Sequence, residues 1–414
     1  MSVRYWTGRG QDRKQVNTIT PTAANAATYT ITINTKTVTY LSDASATVAE
    51  ITAGLAAAGQ ASEDPEFQEI EWTDSTTLVT ATARTAGKPF TQTSSASAGT
   101  LVTATSVANL SRSDINDADN WGDGVGGAGA VPISGDSIVA ENGSIPMLYN
   151  LDALAAVDIA SMIARKTYTA RIGLDDYTES GYYEYRAREL ALQTCTVLYE
   201  EQPDGLATGQ RRYNVGANAC TYTCNGSGSS SIGNEVTWLR GTSTSNAFEV
   251  NGGSVAIAAL DSHTASLATL NMTTGATVRA GLNTTFSSAT VKVTDSVLDV
   301  RSNITTLTVG GSSQITCWNT MTIGTFNLGS PCIYNSSGTI TTLNLIADAN
   351  GIGSIDFSND RTARTITNAV QAPAGVTFND PDGTVTMSAG IKYVQCRDID
   401  VIKDFGVNRT ISVA

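Results

Sequence analysis

Five short segments between residues 269 and 345 share one pattern, in which a threonine precedes an apolar, a polar and a second apolar residue. They are TLNM at 269–272, TVKV at 290–293, TLTV at 306–309, TFNL at 325–328 and TLNL at 342–345. Their first residues lie 21, 16, 19 and 17 positions apart, close to the short period of solenoid repeats. The alternation of polar and apolar residues predicts a half-buried strand in each segment.

A second apolar series runs at similar intervals through Val278, Leu298, Ile315 and Ile333. It predicts a second strand in each repeat, so that one coil leaves an apolar edge that the next coil covers. We therefore expect a mainly β protein whose principal part is a parallel β-solenoid, or β-helix. A β-sandwich of many short strands is the alternative that the pattern leaves open.

The charge distribution fits stacked coils. Residues 310–347 contain no Asp, Glu, Lys or Arg. Equivalent side chains of stacked coils lie about 4.8 Å apart, where like charges repel and Thr or Asn can form hydrogen-bonded ladders.

The net charge of −13 argues against nucleic acid as a partner, since phosphate contacts require a basic surface. No apolar run reaches the roughly 18 residues of a membrane span, so we expect no membrane partner.

Residues 1–110 form the first of four predicted regions, a small α+β docking domain. Alternation predicts a hairpin from strands at 27–34 and 36–40. Ser45 is placed to cap a helix whose apolar face comprises Val48, Ile51 and Leu55. Two further strands are predicted at 67–72 and 77–83.

The boundaries of the other three predicted regions follow from changes in residue composition along the chain. Residues 111–135 predict a hinge loop, because glycine and proline cluster there. Residues 136–390 predict the solenoid, and 391–414 predict C-terminal strands. Within the solenoid, residues 147–163 also fit a helix, so that stretch is ambiguous.

The sequence offers little for catalysis, and we expect no enzyme. His263 is the single histidine and follows Asp261 and Ser262, but neighbouring strand residues face opposite sides and do not make a triad. We expect it in a loop or at the surface. Asp295 and Asp299, with Asp261 farther back, are candidates for the paired carboxylates of glycan hydrolysis, although aspartates are also common in turns.

We likewise expect no metal and no cofactor. The run GVGGAG at 124–129 has the spacing of a dinucleotide fingerprint, but it follows no strand and opens no helix. Asp117, Asp119 and Asp123 lack the terminal glutamate of an EF-hand, so a solvated loop is the expectation. Cys220 and Cys224 lack a second pair or a nearby histidine for zinc. The six cysteines are expected to be reduced and buried: Cys195, Cys220, Cys224, Cys317, Cys332 and Cys396.

The opening VRYWTG at 3–8, together with the hairpin-plus-helix unit and TATARTAG at 80–87, resembles N-terminal modules of tailed-phage and prophage virion proteins. Asn120-Trp121, VPISGD at 131–136, LAAVDI at 154–159 and RIGL at 171–174 resemble the entry into the solenoid of proteins encoded beside phage structural genes. The resemblance implies particle assembly and surface attachment, and it supplies no catalytic residues.

These observations lead to one functional expectation and one alternative. We expect a virion structural protein, either a capsid decoration protein or a head or tail fibre, made in the host cytoplasm because no apolar signal segment follows the first residues. We expect a homotrimer that contacts phage capsid or tail proteins. Trp6, Trp72 and Trp121 are candidates for particle or trimer contact, unless each packs in its own core. The alternative is a receptor-binding tailspike that binds or cleaves a host surface glycan.

Overall fold

A parallel β-solenoid of about 10 turns, spanning residues 137–387, dominates the protein and confirms the predicted fold class. The structure is a computed structural model. It describes residues 2–125, 129–176, 183–226, 231–348, 351–359, 361–368, 370–372, 376–393 and 402–404.

The solenoid has two principal sheets whose strands run parallel, apart from Trp121–Gly122, which is antiparallel to its neighbour Val3–Trp6 in the first sheet. The first, which we call the long sheet, contains Val3–Trp6, Trp121–Gly122, Ser137–Ala140, Ser161–Ala164, Val197–Gln202, Thr221–Gly226, Ala247–Asn251, Ala265–Thr273, Thr284–Thr294, Ile304–Gly310, Ile323–Leu328, Thr339–Leu345, Arg364–Ile366, Val370–Ala372, Val385–Met387 and Ile391–Tyr393. The second sheet contains Leu190–Ala191, Arg211–Asn214, Thr237–Arg240, Ser254–Ile257, Thr277–Ala280, Val297–Val300, Gln314–Cys317, Pro331–Tyr334, Ser354–Asp356, Thr377–Asn379 and Ile402–Asp404. Ala347–Asp348 and Gly351–Ile352 form a separate pair.

The strand register reproduces the sequence repeat in the long sheet. The five apolar residues that follow the repeated threonines stack in register and are fully buried: Leu270, Val291, Leu307, Phe326 and Leu343. The second series needs one correction. Ile315 pairs with Cys332, and Ile333 pairs with Thr316. The prediction for Ile333 was wrong because the register of its strand is shifted by one residue from the predicted one. Cys332 therefore points inward and Ile333 points outward.

Outward-facing amides and hydroxyls of the long sheet form the ladder that the composition predicts. Asn344 Nδ2 donates to Asn327 Oδ1 at 2.8 Å, and Asn327 Nδ2 donates to Thr308 Oγ1 at 3.3 Å. These residues are stacked neighbours in adjacent coils. The ladder therefore links coils on the face that lies opposite the apolar core.

The N-terminal unit has its own core, built from two helices and two antiparallel sheets. Its elements are Val16–Thr22, Thr28–Ile33, Lys36–Leu41, α-helices Val48–Ala61 and Pro65–Gln68, then Ile70–Asp74, Val79–Ala83, Gln92–Ala96 and Thr100–Val107. The hairpin of 28–33 with 36–41 is confirmed. The helix cap differs from the prediction, since Thr47 accepts from the Glu50 N–H in a capping box, two residues after Ser45.

The first strand belongs to the solenoid and not to the N-terminal unit. Val3–Trp6 pairs in parallel with Ser137–Ala140, and Trp121–Gly122 pairs with it on the other side. Ile115 and Trp121 join the solenoid core. The Asn120 side chain donates to the Ser111 and Asp114 carbonyls and accepts from the Gly10 N–H. Residues 111–122 are thus packed against the solenoid, whereas the described residues of 123–135 form a loop, as the sequence predicts for the whole of 111–135.

An arginine whose side chain is 7% exposed joins the N-terminal unit to the solenoid. The side chain of Arg186 reaches back from a solenoid coil and lies 2.5 Å from Glu69 Oε2 and 2.9 Å from Glu184 Oε1. It also donates to the Pro89 carbonyl, and Tyr185 beside it packs against the core of the N-terminal unit. These contacts hold the two parts together at more than one point.

Residues 147–163, which fit either a helix or a strand, contain turns followed by the strand Ser161–Ala164. Leu151, Leu154 and Ile159 point into the solenoid core and are fully or almost fully buried. Their helix-like spacing therefore belongs to a series of turns within a coil and not to a helix.

One polar cluster lies inside the solenoid. Glu200 and Arg211 are both fully buried, and Arg211 Nη1 lies 3.0 Å from Glu200 Oε1. Glu200 also accepts from Tyr222 Oη and Thr237 Oγ1, each at 2.9 Å. Arg211 Nη2 donates to the Tyr168 carbonyl at 2.6 Å. Several partners therefore compensate the carboxylate for the loss of water.

Replacing Glu200 with alanine leaves Arg211 as a buried charge without its carboxylate. We expect Glu200→Ala to lower the free energy of unfolding by about 3–5 kcal/mol, measured by urea denaturation. Lys36→Ala is the control, because it breaks the exposed pair with Asp64, which is worth at most about 1 kcal/mol. Equal effects of the two substitutions would contradict the role assigned to the buried pair.

Candidate binding groove

The single histidine is buried and not at the surface. His263 lies in the loop between the strands Ser254–Ile257 and Ala265–Thr273 and is 5% exposed. Its Nε2 lies 3.4 Å from Glu189 Oε1. Burial lowers the pKa of His263, which favours the neutral imidazole. The prediction that His263 lies in a loop is confirmed, and the prediction of a surface position is wrong. The carboxylate that contacts His263 is Glu189 and not Asp261.

The candidate carboxylates have separate local partners. Asp295 occupies a turn with a φ of 49°, and its Oδ1 accepts from the Ser312 N–H at 2.7 Å. Asp299 lies on the second sheet, accepts from Trp318 Nε1 at 2.5 Å and lies 3.5 Å from Arg301. Asp261 is exposed. Asp295 therefore stabilises a turn, and Asp299 holds the indole of Trp318.

The three tryptophans proposed for particle or trimer contact are interior residues. Trp6 and Trp121 pack edge to face with ring centroids 5.2 Å apart, and their indole N–H groups donate to the Ile145 and Ile115 carbonyls. Trp72 stacks on Phe67 in the N-terminal core. All three are at most 4% exposed. The structure supports core packing, the alternative reading, because the rings are covered within this chain.

The thiols are buried and unpaired, as expected for the five cysteines that the structure describes, Cys396 lying outside these residues. Burial raises the pKa of Cys195 to about 11 and that of Cys220 to about 12. Both thiols are therefore protonated at neutral pH and are poor nucleophiles and metal ligands. Among the described residues, no group of three or more His, Cys, Asp or Glu is placed to hold a metal ion.

The acidic loop uses its carboxylates locally. Asp117 accepts from the Asp119 N–H at 3.0 Å, and Asp123 accepts from the Val125 N–H at 2.9 Å. Asp119 is exposed, whereas Asp117 is 9% exposed. Residues 126–128 of the glycine-rich run lie outside the described residues.

A groove that the sequence prediction missed runs along one corner of the solenoid. We call it the corner groove. It lies where the chain turns from the second sheet into the long sheet, so each coil contributes one short turn to it. Its first section is a cavity of about 660 Å³ lined by Thr264, Ala265, Ser266, Leu282, Asn283, Thr284, Thr285, Phe286, Arg301, Ser302, Asn303, Asn319, Thr320 and Met321.

A second section continues the first, because Asn319 and Thr320 line both. It has a volume of about 500 Å³ and adds Trp318, Asn335, Ser337 and Asn359. The two sections together cross six successive turns, which at about 4.8 Å per coil corresponds to a length of roughly 24 Å. Volumes of this size are typical of ligand sites.

Several residues that line the corner groove carry a buried polar atom without a hydrogen-bond partner. Thr284 Oγ1 and Ser302 Oγ are buried and unpaired in the first section, and Asn335 Oδ1 is buried and unpaired in the second. Thr284 is 4% exposed and Ser302 is 7% exposed. A buried polar group without a partner costs about 1–3 kcal/mol.

One sequence signal could have revealed the corner groove. Asparagine recurs at Asn283, Asn303, Asn319 and Asn335, at intervals of 20, 16 and 16 residues. This is the same period as the apolar repeat, so the asparagines occupy equivalent turns of successive coils. Asn303 Oδ1 accepts a hydrogen bond from the Thr322 N–H at 2.6 Å, so this asparagine also stabilises the fold.

Comparison of the chain with protein-family models, with curated proteins and with solved structures finds no match. Among the described residues, no helix combines the length and the apolar character that crossing a membrane requires.

Proposed function

We propose that the chain is a non-enzymatic structural protein of a tailed-phage particle, either a capsid decoration protein or a head or tail fibre. The observation that carries the proposal is the combination of a stack of about 10 coils with a separate α+β unit at one end. A solenoid grows along one axis and suits an extended spacer or covering element. An end unit with its own core suits attachment to a particle.

The contacts between the two parts support this use. Arg186 ties a solenoid coil to Glu69 of the N-terminal unit, and the Trp6–Trp121 contact closes the same end of the stack. A solenoid that is attached to a particle through its N-terminal unit keeps a defined orientation only if the contacts between the unit and the solenoid are stable. Asp295, Asp299 and His263 engage neighbouring groups of the same chain, which agrees with a structural role.

Purified particles provide the test of location. We expect gold-labelled antibodies against the chain to decorate intact particles, and cryo-electron microscopy to show rods of roughly 48 Å, the length of 10 coils at about 4.8 Å each. Density on the capsid lattice would identify a decoration protein, and density at the tail a fibre. Finding the chain in infected cells but not in purified particles would refute the proposal.

The proposed homotrimer has its own test. A narrow solenoid leaves much of its surface in water, and packing of three copies would bury more of it. Light scattering of the purified chain is expected to give three times the chain mass of 43.1 kDa. The mass of a single chain would overturn the proposed assembly.

A further inference from the structure

The N-terminal unit carries a group of unpaired cations at the end where it joins the solenoid. The segments 8–15, 84–88 and 108–112 contain a single carboxylate, Asp12, although the chain has a net charge of −13. We call the exposed cations of these segments the basic patch. None of them forms an ion pair with the residues that the structure describes: Arg9, Arg13, Lys14, Arg84 and Arg112.

Backbone contacts bring the basic patch together from three separate segments. The Arg13 N–H donates to the Leu110 carbonyl at 2.9 Å, and the Gly87 N–H donates to the Arg13 carbonyl at 3.3 Å. Arg112 Nε donates to the Gly8 carbonyl at 3.3 Å. The cations therefore lie on neighbouring strand ends and turns and form one surface.

Two cations of the basic patch lie opposite each other across a sheet. Val16 pairs with Thr82 in an antiparallel ladder, and the Ala83 N–H donates to the Gln15 carbonyl at 2.9 Å. Lys14 and Arg84 are the next positions of this ladder. Like charges that face each other across strands destabilise a sheet. The fold gains nothing from this pair, which favours an anionic partner outside the chain.

Residues 43–74 of the same unit have the opposite charge, and we call them the acidic segment. They contain eight carboxylates and neither lysine nor arginine. Asp74 pairs with Val79, five residues before Arg84 on the same strand path, so the two opposite charges lie roughly 17 Å apart at about 3.4 Å per residue. The exposed carboxylates that form no ion pair with the described residues are Asp43, Glu63, Glu71 and Asp74.

Opposite charges on one unit favour a second copy of this chain as the partner. A twofold interface brings each surface against itself, so the basic patch would meet like charge there. A closed ring instead joins two different surfaces of neighbouring copies, as a trimer does. In a ring the basic patch can face the acidic segment, which removes its repulsion and supplies the missing counter-charges.

We propose that the basic patch of one copy docks against the acidic segment of the next copy around the axis of the proposed homotrimer. The inference rests on the proposed function and adds the surfaces by which the copies recognise one another. Exposed ion pairs contribute little stability each, so these charges mainly orient the copies and speed their association. Leu41, which is 65% exposed and lies two residues before Asp43, adds apolar surface beside the acidic segment.

The test measures the assembly of the purified full chain by sedimentation velocity over a dilution series, at low and at high salt. Association of the parent should weaken at high salt, because salt screens exposed charges. Lys14→Glu is the first variant. It turns the repulsive pair with Arg84 into an attractive one, so the melting temperature should be kept or raised. Association should nevertheless weaken by about fivefold per interface.

Glu71→Lys is the second variant, since Glu71 is exposed on the edge strand Ile70–Asp74. It should weaken association to a similar extent. Combining it with Lys14→Glu restores opposite charges across the contact and should recover part of the lost association. Lys292→Glu is the matched control, because Lys292 is exposed on the solenoid without an ion pair to the described residues and its replacement changes the net charge equally.

Weaker association in both single variants, recovery in the combined variant and parent-like assembly of Lys292→Glu would support the proposal. A trimer that neither single variant weakens would overturn the docking contact and leave the proposed homotrimer standing. The mass of a single chain at every concentration and at low salt would overturn both.

Double-stranded DNA and anionic lipid vesicles serve as further probes of the basic patch. If the parent binds either one and Lys14→Glu loses this binding with its assembly unchanged, the cations take phosphate groups, and the contact between copies is overturned. None of these results depends on whether the chain is found in purified particles, because the isolated chain is assayed.

Discussion

Each coil of the solenoid is stable only because the next coil covers its apolar edge. Leu307 has Val291 in register on one side and Phe326 on the other, and all three are fully buried. Parallel pairing sets a spacing of about 4.8 Å between coils, so every inward position repeats at a short fixed distance. This stacking constraint selects apolar residues inside and decides which residues can stand outside.

The outer face and the cap follow from the same constraint. Charges repeated at such short spacing would repel, and the stretch 310–347 has none, while Asn327 and Asn344 pair through their amides. The end of the stack has no further coil to cover it. Trp6, Trp121 and Ile115 close it instead, which explains why residues 111–122, the first part of the expected hinge, are packed. Inside, Glu200 and Arg211 are tolerated because several partners surround them.

The sequence was most informative where the period of the repeat matches the spacing of the buried residues. The threonine-led repeat from 269 to 345 predicts both the solenoid and the register of its long sheet, because each coil places the same residue type inward. Ile333 was misplaced because adjacent apolar residues, Cys332 and Ile333, both fit the inward position by composition. Val3–Trp6 was assigned to the wrong unit, since its partner strand lies more than 130 residues away. The corner groove depends on turns brought together by stacking, and hydrophobic patterning carries no information about unpaired hydroxyls.

Cross-linking between stacked positions tests the coil register most directly. Thr306 and Thr325 are registered partners on the outer face, with Cα atoms about 4.8 Å apart, whereas Thr306 and Asn327 are offset by two residues and about 8 Å apart. A disulfide needs Cα atoms within about 7 Å. Mild oxidation followed by peptide mapping should therefore cross-link Thr306→Cys with Thr325→Cys but not Thr306→Cys with Asn327→Cys. Efficient cross-linking of the offset pair, or none in the registered pair, would contradict the stacked solenoid described above.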